Sequence, residues 1–189
     1  MFDGHTFGFM TAKIAKAIQF AAKVHQDQFR KDGTTPYISH PFEVGMVLAA
    51  AGSSEHEIIV GILHDCIEHG CCEEELTQIF GMEVYSDVKH VTEDDTLPWN
   101  LRKEKYIANL EKASLSAVVV SAADLLANRS DLLRRIRNGQ DVWKMFDRTP
   151  QERLRYDRQR SEIIAQRLGQ HPLSLELQSV IQIEVHTEV

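Results

Sequence analysis

The chain has 189 residues, 43% of them hydrophobic and 26% charged, and 28 acidic against 21 basic side chains leave a net charge of -7. That length fits one hydrophobic core, the composition is far from that of disordered chains, and the acidic balance repels a polyanionic backbone, so duplex nucleic acid is not an expected partner. No run approaches the roughly 20 apolar residues of a membrane span, the start MFDGHTFGFM lacks the basic-then-apolar pattern of a secretory signal, and Cys66, Cys71 and Cys72 have no second cluster to pair with, so a reduced, cytoplasmic protein is expected.

Between Thr11 and about Phe29, Ile14, Ala17, Ile18, Ala21 and Ala22 recur at three- and four-residue spacing, which predicts a helix with one buried stripe. Gly33 to Pro36 breaks the pattern. A second helix is predicted from His40-Pro41 to Gly52, carrying the apolar stretch Val44 to Ala51. Ser54 with Glu57 three residues on forms a capping box, so a third helix starts near Glu55 and is expected to run to about Gly70, with His64 and Asp65 in its later turns. Shorter helices follow over Glu73 to Phe80 and Met82 to Val91. Thr92 to Pro98 is acidic and polar and reads as a surface loop, after which a helix resumes around Asn100 to Glu111.

The segment Ala117 to Arg137 is two-sided. Its start, AVVVSAADLL, has the β-branched content of a buried strand, but the continuation DLLRRIRNG suits a helix ending at Gly139, and helix is the reading adopted. Thr149, Pro150 and Glu152 combine an N-cap, a first-turn proline and a capping Glu, which predicts a last long helix to about Gly169. Residues 170–189 read as a C-terminal appendage. The chain is therefore expected to be all-α.

Nine histidines are many, but an isolated histidine on a helix is more often a surface or satisfied core residue than a ligand. The adjacent pair His64-Asp65 is different, because near a helix end both side chains can converge on one ion. Imidazole with carboxylate suits manganese, iron or zinc and does not choose among them.

The surroundings of that pair carry more than the pair itself. It stands in LHDCIE, preceded by FRKDGTTPYISHP and followed at a distance by SAADLLAN. Together the three segments resemble those of the small alarmone hydrolases, stand-alone relatives of the hydrolase domain of Rel and SpoT proteins, which remove the 3′-pyrophosphate from ppGpp. The likeness runs from about Ala15 to Leu168. It implies an HD-type helical bundle, one domain over 1–189, with a divalent ion, manganese first among the candidates, held by His40, His64, Asp65 and Asp124. It also implies catalytic work at Glu68 and its neighbour His69, and substrate contacts from Arg30, Lys31, Tyr37 and Asn128. The implied partner is a nucleotide, with oligomerisation open; the alternatives are another nucleotide phosphohydrolase or a nucleotide-binding module without turnover.

A bound ion of this kind acidifies water toward neutrality, Glu68 is placed to exchange a proton, and Arg30 and Lys31 suit phosphate. Two departures stand out. The resemblance leads one to expect Asp after the catalytic Glu, where this chain has His69, so a paired-carboxylate mechanism does not carry over intact. It also leads one to expect Lys before and a basic residue after the third-segment Asp, where Ser121 and Leu125 stand, so less positive charge is expected at the phosphates.

Overall fold

In the computed structural model the described residues are 11–184; the stretch MFDGHTFGFM lies outside them. They form α1 (Ala12–Val24), α2 (Ser39–Ala50), α3 (Glu55–Leu63), α4 (Glu73–Phe80), α5 (Met82–Val91), α6 (Trp99–Leu110), α7 (Leu115–Arg137), α8 (Pro150–Leu168) and α9 (Pro172–Glu184), with a short 3-10 turn, Val142–Met145, between α7 and α8. Among these residues there is no extended strand, only one bridge pair, Phe29 with Pro36. No helix is long and apolar enough to cross a membrane.

The bundle is organised around α7. Its residues from Ala117 to Ala123 are buried without a break, because α2, α3, α5, α8 and α9 surround that part of it. Burial on every side removes the amphipathic signal from a helix, which is why AVVVSAAD resembles a core strand. Ser114 starts α7: its hydroxyl oxygen accepts the Ala117 N–H and donates to Asp87 Oδ1 at 2.6 Å, tying the helix start to α5.

The capping boxes act as the sequence predicts. Ser54 and Glu57 close the start of α3, and Thr149 and Glu152 close that of α8. The end of α3 differs from expectation. The helix stops at Leu63, and His64 to Gly70 continue as turns. At that point the His64 ring Nδ1 donates to the Gly61 carbonyl at 2.7 Å, the acceptor that a continuing helix offers to the Asp65 amide.

Two glycines set how closely α2 and α3 approach. A Cβ on Gly61 would lie 2.3 Å from Leu48 Cδ1, and one on Gly45 would lie 2.8 Å from Ile62 Cγ1. The bare backbones therefore let the helices carrying His40 and His64 pack face to face. The C-terminal stretch expected as an appendage is instead α9, packed on α7 and α8 with Leu173 and Leu177 buried. In sequence it looks peripheral because Leu173, Leu175 and Leu177 alternate with polar residues and give no clear helical stripe.

Candidate functional site

Four side chains from three segments meet against α7. His40 sits in the first turn of α2, His64 caps α3, Asp65 follows it, and Asp124 lies mid-way along α7. His40 and His64 are each 3% exposed and Asp65 8%. His40 Nε2 is 3.0 Å from Asp124 Oδ1 and 3.8 Å from Asp65 Oδ2, while His64 Nε2 is 3.1 Å from Asp65 Oδ1 and 3.6 Å from Asp124 Oδ1. Donors bound to one ion at about 2.0 to 2.2 Å are separated from neighbouring donors by about 2.8 to 3.6 Å, so this spacing is close to the edges of a coordination shell. Ligand atoms of His40, His64 and Asp65 all fall within 4.8 Å of one another.

The chemistry of the donors agrees with a cation. His64 uses Nδ1 on the Gly61 carbonyl, and its Nε2 is buried without a hydrogen-bond partner among the described residues. With Nδ1 held as the donor, a His64 that gives up its second proton turns an Nε2 lone pair toward the cluster, the tautomer a metal ligand needs. Tyr37 donates its hydroxyl to Asp65 Oδ2 at 2.7 Å, and Asn128 donates Nδ2–H to Asp124 Oδ1 at 2.6 Å. Arg160 donates to Asp124 Oδ2 at 2.8 Å. The residues thus fit a divalent ion.

Charges in the cluster respond strongly to one another. Burial opposes a charged His64 imidazole, but the carboxylates of Asp65 and Asp124 outweigh it and raise it to about 9. Burial likewise opposes ionised Asp65 and Asp124, yet His64 and His40 beside the first, and Arg160 with the imidazoles beside the second, hold both below the usual carboxylate range. Glu68 goes the other way: burial first, then the negative Asp65, push it up to about 8. One of its oxygens, Oε1, accepts the Glu93 backbone N–H.

These groups line a cavity of about 450 Å³. Its far wall is cationic and aromatic. Lys31 Nζ lies 4.5 Å and Arg153 Cζ 3.8 Å from the centre of the Phe146 ring, and neither cation makes an ion pair among the described residues. Burial, reinforced by their mutual repulsion in the case of Lys31, lowers the pKa of both. Lys103 lies over the Tyr156 ring at 4.6 Å, and Arg148 over Trp99 at 5.4 Å. A shallower groove of about 700 Å³ adjoins across Arg30, Asp131 and Arg135, but none of the four clustered residues lines it.

The HD domain family matches this chain over residues 17–148. The chain belongs to the HD domain family. Similar relatives include the guanosine-3′,5′-bis(diphosphate) 3′-pyrophosphohydrolase MESH1 of Xenopus tropicalis, 38% identical over 127 residues, covering 65% of this chain and 71% of the relative. The human protein of the same name is 37% identical over 131 residues, covering 67% of this chain and 73% of the relative. A solved structure described as a metazoan ortholog of SpoT that hydrolyzes ppGpp superimposes with a TM-score of 0.76 at 27% identity, covering 93% of this chain and 97% of that one.

In this HD domain the residues singled out from sequence mostly reach the cavity. Arg30 donates to Asn128 Oδ1 at 3.1 Å and lies 5.7 Å from the centre of the Tyr37 ring; Arg30, Lys31, Tyr37, Glu68 and Asn128 all line the wall. The loop bearing Arg30 and Lys31 is pinned by Asp32, which accepts the amides of Thr34 and Thr35 and a 2.8 Å bond from Arg135, so its carboxyl sits far below its ordinary value. His69 is the exception. It does not line the cavity but packs its ring 4.5 Å from Tyr37 and 5.1 Å from His25, where burial lowers its pKa.

Two expectations are corrected. Positive charge is not short at the cavity, because α6 and α8 supply Arg102, Lys103, Arg153 and Arg160 in place of the cations absent at Ser121 and Leu125. The acidic stretch after α5 is not purely surface either: Glu93 points inward, pairing with Arg102 at 3.1 Å and with Lys103. Sequence reasoning missed these residues because on α6 and α8 they look like the charged face of a solvated helix. Only Arg160, charged and set among Ser161, Ile163 and Ile164, carried a hint of burial.

Proposed function

We propose that this chain hydrolyses the 3′-diphosphate of guanosine-3′,5′-bis(diphosphate), releasing pyrophosphate. The observation that carries this reading is the sharing of one cavity by the His-His-Asp-Asp cluster and by Lys31 and Arg153, which form no ion pair among the described residues. A metal-fit centre beside cations not engaged in ion pairs suits a phosphorylated substrate, and the relatives named above point to the nucleotide.

We assign His40, His64, Asp65 and Asp124 as ligands of the divalent ion. When bound, the ion supplies Lewis-acid polarisation of a phosphoryl oxygen and a more acidic water. Tyr37, Asn128 and the Gly61 carbonyl orient the ligands. Lys31, Arg153, Lys103 and Arg30 hold the diphosphate and offset the charge that builds up on its oxygens. Glu68, pushed up to about 8 by burial and by the negative Asp65 when no ion is bound, is the group placed to hand over a proton. With Oε1 engaged by the Glu93 amide, Oε2 is the atom that carries that proton toward the leaving 3′-oxygen as the phosphorus–oxygen bond breaks. His69 acts indirectly, by packing behind Tyr37.

Manganese is the working choice of ion, on mixed nitrogen and oxygen donors. The three cysteines are free thiols, which supports action in the reducing cytoplasm. The helices, α9 included, are read as one domain. The test is a comparison of ppGpp, GTP, GDP and other phosphorylated nucleotides with the manganese-loaded protein, reading pyrophosphate and orthophosphate separately. Pyrophosphate release from ppGpp is expected; metal-bound protein that leaves ppGpp intact would overturn the assignment.

A further inference from the structure

Arg160 is 5% exposed, deep for a residue of its charge. Its Nε donates to Ser121 Oγ at 2.9 Å, its Nη2 to the Ser121 carbonyl at 2.6 Å and to Asp124 Oδ2 at 2.8 Å. Its Cζ lies 4.9 Å from the centre of the Tyr106 ring, and the Tyr106 hydroxyl meets Ser121 Oγ at 3.0 Å. Ser121 and Tyr106 thus lock the guanidinium in place, and what it presents from that position is one bond to the outer oxygen of Asp124.

The carboxylate is divided as a result. Oδ2 is committed to Arg160, while Oδ1 faces both imidazoles and accepts from Asn128. A carboxylate so held gives an ion one oxygen and not two, and its negative charge is partly cancelled before any ion arrives.

We propose that Arg160 is a positioning residue that restricts Asp124 to one-oxygen ligation and keeps the centre electron-poor, so that the bound ion is held less tightly and activates phosphate more strongly. This rests on the ligand assignment above. A buried positive charge one carboxylate away from a dication opposes its binding, and a ligand that donates less charge leaves the ion a stronger Lewis acid. The device exchanges affinity for reactivity.

The test measures Mn2+ binding by titration calorimetry alongside kcat and melting temperature. R160M should tighten the Kd for Mn2+ by about tenfold and lower kcat by about tenfold or more, the scale of outer-sphere changes at metal sites. R160K, which keeps the charge, should hold Kd within about threefold of the native value. Returning a cation to Asp124 from α7 in the double variant S121K/R160M should undo the tightening. If R160M does not melt cooperatively, R160Q takes its place with the same expectation. A merely structural Arg160 would lower the melting temperature and leave Kd unchanged, and an unchanged or weaker Kd in the neutral variant overturns the inference. H64A, which should abolish Mn2+ binding, separates the two readings: native protein that binds no Mn2+, or H64A that binds it normally, overturns the ligand assignment itself.

Discussion

At the scale of single residues, Glu68 stands apart from the carboxylates around it, which are held ionised while it is held protonated. Glu68→Gln keeps the shape and the acceptor for the Glu93 amide but removes the transferable proton. It should retain the metal and lower kcat by about 100-fold or more. Because it also removes a buried acid, the metal-free variant should melt a few degrees higher than native protein at pH 9. Full turnover in this variant would eliminate the proton-transfer role. Asp65→Ala is expected to lose metal and hydrolysis together; metal content equal to native protein, measured by elemental analysis, would remove Asp65 from the ligand set.

Of the residues that meet at the cluster, His64 and Asp65 were legible as an adjacent pair, and His40 and Asp124 through the resemblance of their two segments to those of a known family. His40 follows Tyr37, Asp65 follows His64, and Asn128 lies one helical turn beyond Asp124. Arg153, Arg160, Lys103 and Glu93 were not legible. They arrive from α6, α8 and the loop after α5, and their pairing exists only once those elements fold over α7. Nor was the direction of His69 legible, because that depends on α3 ending at Leu63, where a side-chain hydrogen bond from His64 meets the Gly61 carbonyl.

Among the elements, the contact of α2 with α3 governs whether the two imidazoles meet. Gly61→Ala would drive a methyl into Leu48 at the place where the helices touch. It should cost about 1 to 3 kcal/mol, the usual range for overpacking, and it should weaken Mn2+ binding although residue 61 is not a ligand. A variant with native stability and native Mn2+ affinity would show that the close approach is not needed. Helix starts were readable to within a residue or two at both capping boxes, because the caps are local chemistry. The burial of α9 was not, since it is decided by a groove between α7 and α8.

For the whole molecule, the cluster makes stability depend on pH in a definite direction. His64 is raised from 6.5 to about 9 and Glu68 from 4.5 to about 8. A group with a raised folded pKa gives stability that is complete below its unfolded value and is lost as pH climbs through the folded value. Metal-free protein should therefore become less stable between pH 6 and pH 9. With saturating Mn2+ the His64 part of the decline should be absent, because the ion replaces that proton as partner of the carboxylates, while the part due to the buried Glu68 remains. Thermal melts across that range test this; metal-free protein whose melting temperature stays level or rises would contradict it.

The bond from Asn128 to Asp124, together with the one Asn128 receives from Arg30, joins the ion-binding groups to the anion-binding groups in one chain of contacts along α7. Anything that draws Arg30 toward a phosphate acts on Asp124 through Asn128, and anything that draws Asp124 toward a cation acts back on Arg30. The two binding events are thereby expected to be cooperative, and cooperativity of this kind is reciprocal. If a non-hydrolysable nucleotide analogue tightens Mn2+ binding by some factor, Mn2+ must tighten the analogue by the same factor. Asn128→Ala should bring both factors toward one while each ligand still binds alone.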